Sequence, residues 1–278
     1  MPSAFDGKTV VVTGGSSGIG LATACAFAEA GADVALVARD VAKLERAKST
    51  VENARAASSQ RVAVASADLS DGDAAFAAAE QLIAGGFLPD VLVNSAGVIV
   101  PGEFVKMSPE EFDRNFLHGF DSVVHPCRAF APHMIERGSG HIVNVSSAAG
   151  FLGIYGYTGY AAAKYAVMGF SEALRFELRP HGVHVHVACP PDTDTPALAY
   201  EKTLRPPETN RISGNIKAIP PEQVAAAIVR GVTKDRHYII PDLTSRFYFR
   251  LKGLLPELFF AIVDSDVRKA RRDGSAPS

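Results

Sequence analysis

Only three cysteines, Cys25, Cys127 and Cys189, occur in the 278 residues, far apart and without a CxxC spacing. An odd and scattered set gives neither a disulfide framework nor a structural zinc site, and it suits a reducing compartment. An excess of positive charge is also missing: 28 Lys and Arg stand against 30 Asp and Glu, a net charge of -2. Nucleic acid is therefore not an expected partner. No Gly/Ser-rich linker and no internal repeat interrupts the chain, so one domain is expected. The opening stretch MPSAFDGKTVVVTGG lacks a basic patch followed by an apolar run and a cleavage site, so a secretory signal is not expected and a cytoplasmic location is. No set of ligating side chains has metal-site spacing. His184 and His186 alternate with valines on one predicted strand, but no third ligand lies at useful spacing, and they read as satisfied strand histidines. Long apolar runs are few, and the tail segment Arg246 to Val263 is broken by Arg250, Lys252, Pro256 and Glu257. A spanning helix needs about 20 mostly apolar residues, and a central Arg or Lys costs roughly 2.5 to 3.5 kcal/mol. That tail is expected to pack against a second subunit, as in a homo-oligomer, or to lie peripherally on the cytoplasmic face of a membrane.

The chain is 47% hydrophobic and 21% charged, enough to bury a large core. Short apolar runs alternate with Ala-rich helical stretches. Strands are predicted at Lys8 to Thr13, Asp33 to Ala38, Arg61 to Ala67, Asp90 to Asn94, His141 to Ser146, Val183 to Cys189 and His237 to Ile240. Helices fall between them at Gly18 to Ala30, Asp40 to Ala57, Asp71 to Ala84, Ser108 to Glu136, around Tyr160, and at Pro221 to Thr233. Strands buried on both faces and separated by helices imply an α/β fold: a single-domain, Rossmann-type, doubly wound parallel sheet of about seven strands with helices on both faces. Residues 1–241 form the expected dinucleotide-binding catalytic domain, in which the Pro-rich insertion 190–219 is too long for a simple connection and reads as a substrate lid. Residues 242–278 form an amphipathic extension.

The first strand runs into Thr13-Gly14-Gly15-Ser16-Ser17-Gly18-Ile19-Gly20. Glycines between a strand and a helix permit a tight turn and let backbone N–H groups and the positive helix end approach a pyrophosphate. Farther along, Tyr160 and Lys164 lie four residues apart, on one face if that stretch is helical, just downstream of Ser146 and Ser147. A free phenol titrates near pH ~10, and a neighbouring ammonium would pull it down toward the working range of a proton donor. Such an acid is what carbonyl reduction requires.

The turn resembles the TGxxxGxG motif of the short-chain dehydrogenase/reductase family. Asn94-Ser95-Ala96-Gly97 resembles that family's NNAG, Ser147 precedes Tyr160 by thirteen residues as its catalytic serine does, and Tyr160 to Lys164 matches its YxxxK. The resemblance implies that Tyr160 gives a proton to the substrate oxygen and Ser147 hydrogen-bonds that oxygen. It implies that Lys164 lowers the tyrosine pKa and holds the nicotinamide ribose. It places the cofactor on Gly14, Ser16, Ser17, Gly18, Ile19, Gly20, Asn94, Ala96 and Gly97, with Asp68 and Leu69 at the adenine edge. Ala38 stands where NAD-using relatives usually carry Asp, and Arg39 follows it, which implies NADP(H) with Arg39 on the 2′-phosphate. Pro190 to Pro196, PPDTDTP, stands where the family usually has PGxxxT, so Pro190, Thr193 and Thr195 are expected near the nicotinamide, with Pro191 in place of glycine.

The PPDTDTP segment, followed by Glu201, Pro206, Pro207, Glu208, Thr209 and Ile212-Ser213, resembles the 3-ketodihydrosphingosine reductase branch. That branch implies NADPH-dependent reduction of a 3-keto sphingoid base, which fits the expected small-molecule substrate, a ketone in a long or bulky apolar molecule. A 3-ketoacyl reductase or a hydroxysteroid dehydrogenase is the alternative within the enzymes, and a nucleotide-sensing regulator without turnover the alternative outside them. The family's helix asparagine has no counterpart: counting back from Ser147 reaches Gly119, one turn after Asn115. Glycine there predicts a kink with a carbonyl free to hold a water, tolerance of Gly119→Asn, and no role for Asn115.

Overall fold

The computed structural model describes residues 4–206, 208–210 and 217–274; Pro207, Ile212 and Ser213 lie outside them. Seven parallel strands run β1 (Thr9–Thr13), β2 (Asp33–Ala38), β3 (Val62–Ser66), β4 (Val91–Asn94), β5 (Gly140–Val145), β6 (Val183–Ala188) and β7 (Tyr238–Ile239). Their order across the sheet is β3-β2-β1-β4-β5-β6-β7. The direction of winding reverses between β1 and β4, which opens a crevice beyond their carboxyl ends.

β-Branched residues make these strands, and their alternation fills both faces. In β1, Val11 joins Leu92 and Ile142 on one side, whereas Val10 and Val12 join Val34, Leu36, Val93 and Val143 on the other. Helices cover both sides: α1 (Gly18–Glu29), α2 (Val41–Asn53), α3 (Gly72–Ala84), α4 (Pro109–Phe116), α5 (Ser122–Arg137), α6 (Thr158–Leu178), α7 (Pro196–Lys202) and α8 (Pro221–Thr233). Their starts are chemical. Asp40 accepts from the Lys43 N–H at 2.9 Å to cap α2, Asp71 caps α3, and Ser108 with Glu111 closes a capping box on α4.

Three segments differ from the sequence expectation in detail. The long helix predicted over Ser108 to Glu136 is broken into α4 and α5 by a single π turn, Leu117–Asp121, that contains Gly119. The insertion 190–219 carries a helix of its own, α7, started by Pro196 and capped by Thr195. The tail forms two helices, α9 (Leu243–Leu254) and α10 (Pro256–Gly274), divided at Pro256. They pack back on the domain: Phe249, Leu251, Phe259 and Val263 meet Phe151, Leu152, Met168 and Ile240 in a third apolar cluster. Phe247, Leu254, Leu255, Leu258 and Phe260 stay exposed. No helix among the described residues is long and apolar enough to cross a membrane.

Candidate active site

At the switch point the chain turns on Gly14, whose φ is +66° and whose added Cβ would stand 2.7 Å from the Ala96 nitrogen. An added Cβ on Gly20 would come within 2.3 Å of the Gly14 carbonyl oxygen. Only glycine lets the turn close this tightly on β4 and α1. Ser17, at the N-cap of α1, makes no side-chain cap bond, so the first N–H groups of that helix are left toward the crevice.

The crevice is a cavity of about 560 Å³, within the usual size for a ligand site. Its lining includes Gly14, Ser16 to Gly20, Arg39, Asp68, Leu69, Ala96 and Gly97 together with Ser147, Tyr160, Lys164, Pro190, Thr193 and Thr195. Arg39 lies 3.7 Å from Asp68 at the rim, with more than half of its side chain exposed. Asn94 is the exception among the residues expected on the cofactor. It is fully buried behind the wall, where its amide nitrogen donates to Asn144 at 2.9 Å and reaches Cys127. Its position as the last residue of β4 turns its side chain into the sheet interior, whereas Ala96 and Gly97 reach the cavity.

β5 delivers Ser146 and Ser147 to the site, and their environments separate them. Ser146 is buried and donates to the Lys164 carbonyl at 2.9 Å, tying the strand end to α6, whereas half-buried Ser147 accepts from the Ala149 N–H at 3.1 Å. The ammonium of Lys164 donates to the Val145 carbonyl at 3.0 Å and sits 5.7 Å from the centre of the Tyr160 ring. Burial pulls the Lys164 pKa down to about 8. Burial also raises the Tyr160 phenol above its ordinary value; the Ser147 hydrogen bond pulls it down, and the Glu201 and Asp192 carboxylates push it up. The depression expected from Lys164 is not among these causes: the net shift is upward, and the ammonium bonds the Val145 carbonyl.

The π turn lies against this machinery. Gly119 faces Ala163 on α6, and an added Cβ there would stand 2.9 Å from that of Ala163, so the expected tolerance of Gly119→Asn does not fit the packing. Ser122, at the start of α5, donates to the His118 carbonyl at 2.6 Å and reaches the Ala96 carbonyl at 3.2 Å, pinning the turn to the cavity wall. Asn115 is fully buried and bridges Val100, accepting from its N–H and donating to its carbonyl at 2.8 Å each. It holds the loop after β4, a structural task the sequence reading did not give it.

Sequence reasoning also missed the far wall. Tyr157 packs edge-on to Tyr160 with ring centres 5.9 Å apart and donates to Glu201. Arg205 donates to Glu201 through Nε at 2.6 Å and holds Asp192 with two bonds at 2.9 and 3.0 Å. The i, i+4 pair Glu201 and Arg205 was the available signal. Leu152, Ile154, Tyr248, Phe259, Ile262 and Val263 make the remaining wall apolar, and α10 supplies half of them. The histidines of β6 lie at the opposite end of the sheet with protein partners: His184 with Asp235 at 2.7 Å, His186 with His141 at 3.0 Å and with the Arg236 carbonyl at 2.7 Å.

The parallel sheet with a glycine turn at its switch point is that of a doubly wound dinucleotide-binding protein. The sequence profile of the short chain dehydrogenase family matches residues 8–205. The chain belongs to that family and is an oxidoreductase. It is 41% identical over 233 residues to the 3-ketodihydrosphingosine reductase of Bos taurus, covering 82% of this chain and 69% of the bovine protein. A short chain dehydrogenase/reductase from Burkholderia phymatum, solved with NAD, superposes with a TM-score of 0.79 at 28% identity, covering 91% of this chain and 95% of that one. A short-chain dehydrogenase from Sphingobium yanoikuyae, solved with NADPH, gives 0.75 at 28% identity, with coverages of 90% and 94%.

Proposed function

We propose that this oxidoreductase reduces the ketone of a 3-keto sphingoid base, or a similar long-chain lipid, to a secondary alcohol with NADPH. The observation that carries the reading is one cavity whose lining joins a glycine cradle, with Arg39 exposed beside Asp68, to Ser147, Tyr160 and a set of apolar side chains. When bound, NADPH supplies the hydride. The glycine turn, Ala96 and Gly97 would hold its phosphates and ribose, Arg39 its 2′-phosphate, Asp68 and Leu69 its adenine, and Pro190, Thr193 and Thr195 the nicotinamide end.

The remaining chemistry belongs to side chains of this chain. Ser147 donates a hydrogen bond to the ketone oxygen, and Tyr160 gives that oxygen its proton. A phenol whose pKa is raised by burial stays protonated at neutral pH, the state a donor needs. Lys164, brought down to about 8, exchanges protons close to neutrality and suits resupply of the phenol. In this reading the insertion 190–219 is the substrate lid, of which residues between 190 and 201 line the cavity, with residues 1–241 as the catalytic domain and 242–278 as its extension. The bovine relative bears the name of a sphingoid-base reductase, and the apolar wall supplied by α10 suits a long alkyl chain.

Tyr160→Phe keeps the ring and removes the proton. The variant is expected to bind NADPH like the wild type, tighter than NADH in both, and to lose turnover by more than about a hundredfold. Cofactor titration beside a ketone-dependent NADPH oxidation assay measures both, and near-normal turnover would remove Tyr160 from the role.

A further inference from the structure

The chamber beside Tyr160 is not uniformly apolar. Asp192 and Glu201 line it and Arg205 joins them in one ionic group, in which the Asp192, Glu201 and Arg205 side chains are 24%, 9% and 2% exposed. Two carboxylates meet one guanidinium, and burial raises the Glu201 pKa, so the group is one cation short of full pairing. The bonds show which carboxylate lacks one. Arg205 grips both oxygens of Asp192, at 2.9 and 3.0 Å. On Glu201 the bonds from Tyr157 and from Arg205 all end on Oε1. Oε2 accepts none among the described residues, and Glu201 lines the cavity. A carboxylate oxygen that faces the cavity and has no protein donor is placed to accept from a cationic ligand, whose charge the carboxylate would complement.

We propose that Glu201 is the counter-ion for the ammonium group of an amino-ketone substrate, and that this contact selects 2-amino ketones over ketones without the amine. The inference rests on the long-chain amino-ketone reading above. In a 3-keto sphingoid base the amine sits on the carbon next to the carbonyl, so its counter-ion must lie close to the group that protonates the ketone oxygen. Glu201 satisfies that requirement through Tyr157, whose hydroxyl it accepts and whose ring packs edge-on to Tyr160. The fixed Oε1 and the unbonded Oε2 make the carboxylate a preorganised acceptor, which adds specificity because little ordering remains at binding. A ketone lacking the amine would displace water from Oε2 and offer it no donor, and sites built for a polar partner reject such analogues strongly.

The experiment compares chain-matched ketones: a 2-amino-1-hydroxy-3-ketone and the same molecule without the amine. The wild type is expected to favour the amino ketone at least tenfold in kcat/KM. In Glu201→Gln that ratio collapses toward one, mainly through KM for the amino ketone. Tyr157→Phe, which removes the bond on Oε1 and leaves the carboxylate, is expected to keep the ratio even if both rates fall. If Glu201→Gln slows both ketones equally, the residue is only a brace for Tyr157 and the proposal is overturned. The proposal is likewise overturned if the collapse occurs in Asp266→Asn, another carboxylate of the cavity lining, and not in Glu201→Gln. A wild type that reduces both ketones equally overturns the ammonium contact without any variant and leaves the long-chain reductase reading standing, whereas one that reduces neither overturns both.

Discussion

Burial, with the Glu201 and Asp192 carboxylates, raises the Tyr160 phenol and so favours its protonated form at neutral pH. Asn115 shows a different kind of residue effect. Its amide takes both backbone groups of Val100, and Asn115→Ala would strip a buried donor and acceptor of their partners. A loss of about 1 to 3 kcal/mol in unfolding free energy is expected, measured by urea denaturation, and an unchanged midpoint would contradict the bridging role. This role could not be read from the sequence because the partner of Asn115 is a main chain, which carries no side-chain signature. That Tyr160, Lys164 and Ser147 meet in one cavity was legible for the opposite reason. Their chemistry requires particular side chains at fixed spacing, so the pattern survives in the letters. Asn94 was misread because a motif gives its neighbourhood and not the face to which a strand end points.

At the scale of elements, the alternation of buried strands and capped helices was legible almost throughout, since the period of apolar residues is imposed by the sheet itself. The break at Gly119 was also legible, as a glycine in a helix, although its cause was not. The π turn lets α4 and α5 pass close to Ala163 on α6, the helix that carries Tyr160 and Lys164. What stayed hidden was α7, because a Pro-rich stretch obscures a short helix that begins on one of its prolines. The histidines at the far end of β5 and β6 give a prediction of their own. Burial, with the repulsion of neighbouring histidines, pushes His141 down to about 4, and burial does the same to His186. Between their ordinary value of 6.5 and that value, the unfolded chain binds protons that the folded chain does not. Stability is therefore present in full above pH ~6.5 and is lost as the pH falls, by up to roughly 1.4 kcal/mol per pH unit for each histidine. Urea midpoints at pH 7 and pH 5 measure this loss. His141→Asn should show a smaller one, and an equal loss in the variant would assign the effect to other groups.

Across the whole molecule, the tail joins the cavity to the surface. Phe259 and Val263 of α10 both line the chamber and pack in the third cluster, while Leu254, Leu255, Leu258 and Phe260 face outward beside them. Apolar groups exposed together in this number mark a contact surface, which we propose meets either a lipid membrane or a second copy of the chain. Co-sedimentation with vesicles, beside the mass in solution of the full chain and of a chain ending before Pro256, separates these. A monomer that ignores vesicles would contradict both. The sequence showed the tail as amphipathic but not that it walls the site, because that depends on where two helices fold back.

The central claim is that the cavity reduces a long-chain 3-keto sphingoid base with NADPH. It is tested most directly by following NADPH oxidation by the purified chain with 3-ketosphinganine, a 3-ketoacyl thioester and a ketosteroid, with the product identified by mass. The account predicts the highest kcat/KM for 3-ketosphinganine, by about tenfold or more, with a product two hydrogens heavier than the substrate. Turnover of the thioester or the steroid in preference to 3-ketosphinganine would contradict it.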